Sequence, residues 1–117
     1  MADITVKAAY ASVVEDEGQL FVGFAEGEEE DEPYILFRQP LEGGPVWFEV
    51  SDESLGGEDV VETVTLGPKG LEIAITAAGA ARVGWARRVN VRIGAATEGA
   101  EEALAALRGM LGARFAG

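Results

Sequence analysis

The chain has 117 residues, 48% of them hydrophobic and 26% charged, with no cysteine, no histidine and a formal net charge of -12. That length suits one hydrophobic core and is short for two. Absent cysteine excludes disulfides, thiolate metal sites and thiol nucleophiles, and absent histidine removes the usual general base.

The charge is unevenly spread. Residues 1–72 hold 18 acids against Lys7, Arg38 and Lys69, whereas residues 73–117 hold three acids against six arginines. Such an excess of carboxylate repels phosphate backbones and anionic lipid, so nucleic acid and membrane are not expected partners and a basic protein is. The start, MADITVKAAY, has no basic segment running into a continuous apolar stretch, and no window approaches the roughly 18 apolar residues of a membrane span. A cytoplasmic protein is the expectation.

Ile4, Val6, Ala8 and Tyr10 alternate against Thr5, Lys7 and Ala9, the period of a strand with one buried face. Glu15 to Gly18 supplies a turn, and Leu20, Val22 and Phe24 then alternate against Phe21, Gly23 and Ala25. Both sets are apolar, which predicts a strand covered on both sides and paired with the first in a hairpin. EGEEEDE, Glu26 to Glu32, is a solvated loop, because like charges this dense repel in any regular element. Pro33 suits the first position of a strand over 34–39, with Tyr34, Leu36 and Arg38 on one side and Ile35 and Phe37 on the other. Pro40 ends it, and Leu41 to Gly44 turns the chain into a strand over 46–51, where Val46, Phe48 and Val50 oppose Trp47 and Glu49.

The paired glycines of SDESLGGEDVVE, Gly56 and Gly57, read as a tight turn at positive φ before a strand that begins at Val60. GPKG, with Gly67, Pro68 and Gly70, fits a turn between that strand and the return strand Leu71 to Ile75. Residues 76–84 abandon alternation and fit a short helical turn or a loop. Val89, Val91 and Ile93 then oppose Arg88, Asn90 and Arg92, the pattern of a sheet with one wet face. Thr97 can cap a helix whose stripe is Ala100, Leu104, Leu107, Leu111 and Phe115, with Ala103 and Met110 beside it. These elements describe a single α+β domain over residues 4–115, a mostly antiparallel sheet of six or seven strands with a C-terminal helix packed on one face.

The glycine pair does not make a phosphate site, since it lacks the longer glycine-rich run ending in lysine and opening a helix. With Asp52 taken as the first position of a calcium loop, glycine stands at the fifth and Thr63 at the twelfth, where a glutamate is required. Only an irregular calcium site from Asp52, Glu53, Glu58 or Asp59 stays open, so neither metal nor cofactor is expected. Ser12, Ser51 and Ser54 have no histidine to activate them. A carboxylate pair such as Glu49 with Asp52 could serve glycosidic chemistry, but 21 acids generate such pairs by chance, and the reading is non-enzymatic. Trp47, Trp85, Phe21 and Tyr34 are read as core residues first and as interface anchors second. Arg87, Arg88 and Arg92 are read as a wet strand face.

Two portions carry a family resemblance: LFVGFAEGEEEDEPYILFRQP, and VWFEVSDESLGGEDVVETVTLGPKGLEIAI, in which Glu49, Asp52, Glu53, Gly56 and Gly57 precede strand, turn and strand. With the VNVRI strand and the helix, this order resembles the immunity protein 10 family of bacterial polymorphic toxin systems. Trp47 departs from the tyrosine expected in the family, and the alanine-rich 77–86 segment carries none of the resemblance. The resemblance implies an intracellular antidote that binds a cognate toxin domain stoichiometrically and turns nothing over, with Asp52, Glu53, Gly56 and Gly57 as its most distinctive positions. Joined to the charge pattern, it makes Glu28, Glu29, Glu30, Asp31, Asp52 and Glu53 the expected partner contacts, and Gly56, Gly57, Gly67, Pro68 and Gly70 the expected turn positions. The competing class is an acidic structural or regulatory module, a nucleic-acid mimic among its forms, that binds another basic protein.

Overall fold

The structure is a computed structural model and describes residues 3–29 and 31–117. Among these the chain forms, in order, β1 (Ile4–Lys7), β2 (Tyr10–Asp16), β3 (Gln19–Ala25), β4 (Tyr34–Pro40), β5 (Trp47–Val50), β6 (Gly56–Glu58), β7 (Val61–Gly67), β8 (Gly70–Ile75), β9 (Arg88–Arg92), α1 (Ala100–Leu111) and β10 (Phe115–Ala116). The α+β class stands, but the single sheet of six or seven strands does not: there are two five-stranded sheets, ordered β1-β9-β8-β7-β10 and β2-β3-β4-β5-β6. The second is an antiparallel meander; the first is mixed, with β1 parallel to β9 and β10 parallel to β7.

The physical reason for two sheets lies at Ala8 and Ala9. Alternation predicts one strand from Ile4 through Tyr10, yet the Ala8 N–H donates to Arg92 O at 3.0 Å and the Ala9 N–H to Ala25 O at 2.8 Å. Neighbouring residues thus give their hydrogen bonds to different sheets, and two small side chains let the chain turn the corner. The hairpin partner of β3 is therefore β2, and it closes through Glu17 (φ 49°) and Gly18 (φ 78°), the left-handed pair that matches strand twist in a two-residue turn. The β7–β8 turn falls where expected, with Pro68 and Lys69 between the paired Gly67 and Gly70.

Gly56 and Gly57 require a correction. They form β6, paired to Glu49 and Phe48, and neither has positive φ; the left-handed residues nearby are Ser51 (φ 61°) and Asp59 (φ 57°). The turn is Ser51 to Leu55, closed by the Leu55 N–H on Asp52 O at 2.9 Å and the Val50 N–H on Leu55 O at 3.1 Å.

The core lies between the sheets. Val22, Phe24, Ile35, Phe37 and Phe48 face Val6, Val64, Ile73, Ile75 and Val89, all fully buried, with Phe37 and Phe48 tilted at a centroid distance of 5.0 Å. Helix α1 lies against β2, β3 and β10, burying Ala103, Leu107, Met110 and Leu111. Its stripe is thus centred one position away from the expected one, and Phe115 belongs to β10. Thr97 does not cap the helix; Gly99 does, at φ 78°. The Thr97 hydroxyl instead donates to Ala8 O at 2.7 Å and accepts from the Gly94 N–H at 3.0 Å, fastening the loop before the helix to the corner at Ala8. The 76–84 segment resolves into a short 3-10 turn over Ala80–Val83. Among the described residues no helix is long and apolar enough to cross a membrane.

Candidate partner-binding face

Because side chains alternate along a strand, the register of the second sheet fixes what its outer face presents. One row across it reads Ser12, Gly23, Leu36, Glu49, Gly56; the next reads Val14, Phe21, Arg38, Trp47, Glu58. Tyr10, Ala25 and Tyr34 make a third. Phe21, Leu36, Tyr34 and Trp47 are half-buried and none belongs to the core cluster, while Val14 is 49% and Tyr10 39% exposed. Strands β4 and β5 form the middle of this face, and Leu36, Arg38 and Trp47 there keep part of their surface open to solvent. The expectation that β3 is covered on both sides is corrected: Phe21, Gly23 and Ala25 face outward, partly exposed and outside the core cluster. The reading of Phe21, Tyr34 and Trp47 as core is corrected with it.

A carboxylate sits under this face. Glu49 is only 5% exposed, the one buried charged side chain among the described residues. It accepts hydrogen bonds from the Tyr34 hydroxyl and, at 2.8 Å, from Trp47 Nε1. Taking a carboxylate out of water is costly, and two neutral donors offset that cost without a counter-charge. What the arrangement supplies is position: both aromatic rings are tied to one buried point. Arg38 stacks on the Trp47 ring at 4.8 Å and holds it from the other side. Gly56 completes the device. A Cβ there would meet Glu49 Cβ and Phe48 O at 2.7 Å and Trp47 Cζ2 at 3.0 Å, so glycine is needed for space rather than for φ. At Gly57 a Cβ would come within 2.7 Å of Arg82 Cδ and 3.2 Å of Val60 Cγ1.

The expected acidic contacts gather at one end of the same sheet. The loop between β3 and β4 is closed by the Glu26 N–H on Pro33 O at 2.9 Å and exposes Glu28, Glu29 and Asp31; Glu30 lies outside the described residues. The β5–β6 turn, at the same end, exposes Asp52 and Glu53. Burial first, then the hydrogen bond and charge of Glu49 and the charges of Asp52 and Glu53, push the Tyr34 hydroxyl far above its ordinary 10.0. Asp52 also closes its own turn, its Oδ1 accepting the Ser54 N–H at 2.8 Å; that bond and the Ser54 side chain hold its carboxyl below the ordinary 3.8. Gly67, Pro68 and Gly70 belong to the other sheet and touch none of this.

Sequence reasoning placed Trp47 and Glu49 on one side of their strand but missed them, with Tyr34, Leu36 and Phe21, as a site. The available signal was the doubly apolar alternation of β3, which puts Phe21 on the face opposite the core-facing Val22 and Phe24. Among the described residues no group of three or more acidic side chains is placed to hold a metal ion. Set against known families, curated proteins and solved structures, the chain matches none.

Proposed function

We propose that this protein is a non-enzymatic immunity protein that binds a cognate bacterial toxin domain through the outer face of the second sheet and neutralises it by covering it. The observation that carries this reading is the uncovered apolar face with Glu49 buried beneath it. A buried acid that fixes two surface aromatics adds little to stability that an apolar residue would not, yet it removes the cost of ordering them when a partner arrives. Fixed aromatics beside a stacked arginine are the usual anchors of protein interfaces. The acidic end at Glu28, Glu29, Asp31, Asp52 and Glu53 gives such a partner its sign: a basic surface is drawn to this end and guided onto the adjacent face. The resemblance of the 20–40 and 46–75 segments to immunity protein 10 supplies the partner class, and with it a cytoplasmic site of action.

The test is binding of the purified protein to the toxin domain encoded by the adjacent gene. Association should slow as salt rises, and neutralising Glu28, Glu29, Glu30 and Asp31 together should lower the association rate by roughly tenfold at low salt. No binding to that neighbour would remove the immunity assignment; salt-independent association would remove the electrostatic part of it.

A further inference from the structure

The reading of Trp85 as core is contradicted by the structure. Trp85 is 67% exposed, the most exposed large hydrophobic residue among the described residues. Its φ is 65°, directly after Gly84 at 64°, and a bulky side chain in the left-handed region is a genuine outlier. Such outliers persist only where the surroundings hold them, and they collect at functional positions. Here the surroundings do hold it. The Trp85 N–H donates to Ala80 O at 2.7 Å and the Ala86 N–H to Val83 O at 3.2 Å, Arg87 Nε is fastened to Ile75 O at 2.9 Å, and both Val83 and Ala86 are fully buried. The indole cannot turn inward without drawing Val83 or Ala86 out of the core. The turn therefore presents Trp85 outward as a fixed knob, flanked by the exposed Arg82, Arg87 and Arg88.

The segment that leads into the knob also lines a groove, through Thr76, Gly79 and Arg82. A groove of about 470 Å³, within the usual size of a binding pocket, runs along the edge of β6 between Trp47 and Arg82, with Val60 and Gly79 in its wall and Glu58 and Asp59 on its rim. Among the described residues the single ion pair is Arg88 with Glu72 at 3.6 Å, and Glu58, Asp59, Arg82 and Arg87 have no charged partner among them. We infer that two copies of this chain associate about a two-fold axis, each seating Trp85 in the groove between Trp47 and Arg82 of the other and setting its Arg87 against Glu58 and Asp59. Groove and knob share the stretch 76–85, so one axis beside that stretch satisfies both contacts at once and closes the assembly at two. The contact uses the β6 edge and shares only Trp47 and Glu58 with the outer face of the second sheet; it leaves Phe21, Leu36 and Tyr34 open, goes beyond the toxin-binding reading and does not depend on it.

Sedimentation equilibrium of the full chain tests this without any other partner. The mass should rise from 12.3 kDa towards twice that value as concentration is raised to roughly 1 mM, near the weak limit of a specific contact. Trp85→Ala should keep the mass of a single chain throughout, and Glu58→Lys, an exposed substitution on the groove side, should do the same. A wild type that stays at 12.3 kDa across the range, or variants that associate like it, would overturn the inference. So would Trp85-dependent binding to vesicles of anionic lipid without self-association, which would make the knob a membrane anchor.

Discussion

The two sheets share one core but differ in what they show to solvent. The outer face of the first sheet is built from Thr5, Lys7, Thr63, Thr65, Glu72, Ala74, Arg88, Asn90 and Arg92, a face that water satisfies and that needs no cover. The outer face of the second has Phe21, Leu36, Tyr34 and Trp47 at its middle and a buried carboxylate below them. Packing against the core cannot explain the difference, because the inner faces are equally apolar. One sheet is finished within the chain; the proposal is that the other is finished by something outside it. The proposed function follows from that contrast, and the contrast can be attacked residue by residue.

The largest effect is expected at Glu49. Glu49→Ala strands the Tyr34 hydroxyl and Trp47 Nε1 and frees both rings, which should lower unfolding stability by about 2–3 kcal/mol, whereas Thr65→Ala on the first sheet should stay within about 0.5 kcal/mol. Urea melts of the two variants decide it; equal midpoints would show that the carboxylate does not organise its face. Next comes Gly56→Ala, which crowds Glu49 and the Trp47 ring and should cost about 1–2 kcal/mol, while Gly67→Ala, whose Cβ meets nothing nearer than Gly70 O at 4.0 Å, should cost little. Thermal unfolding in parallel separates them.

The smallest effect is one of pH. The Tyr34 hydroxyl is raised above its ordinary 10.0, so its contribution to stability is complete below pH 10 and is lost as pH climbs beyond it, when the unfolded chain releases a proton that the folded one retains. Stability measured across the alkaline range should therefore fall more steeply for the wild type than for Tyr34→Phe; parallel curves would contradict it.

Much of this was legible beforehand, and the failures have physical causes. The strands at Tyr34, Trp47 and Leu71 and the turn at Pro68 follow from alternation and turn chemistry that tertiary contacts do not override. The corner at Ala8 and Ala9 was invisible, because alanine suits either sheet and only the hydrogen-bond partners reveal the change. Gly56 was misread because glycine serves two needs that look alike in sequence, positive φ and absence of a side chain, and here the second applies. Glu49 stood on the outward side of its strand, as its spacing predicts; its burial comes from Tyr34 and Trp47 folding over it, which no local pattern encodes. Trp85 lies in a segment without period, where hydrophobicity alone points inward and the left-handed turn points outward.

The central claim is that the outer face of the second sheet, and not that of the first, receives the partner. Leu36→Lys and Thr65→Lys place the same charge at the middle of each face, and the two proteins can be passed over the immobilised product of the neighbouring gene, the proposed toxin domain. Leu36→Lys should raise the dissociation rate by roughly 30-fold or more, the scale of about 2 kcal/mol expected of an interface anchor, while Thr65→Lys leaves it unchanged. Equal dissociation from both variants, or a loss confined to Thr65→Lys, would contradict the assignment of the partner to the second sheet.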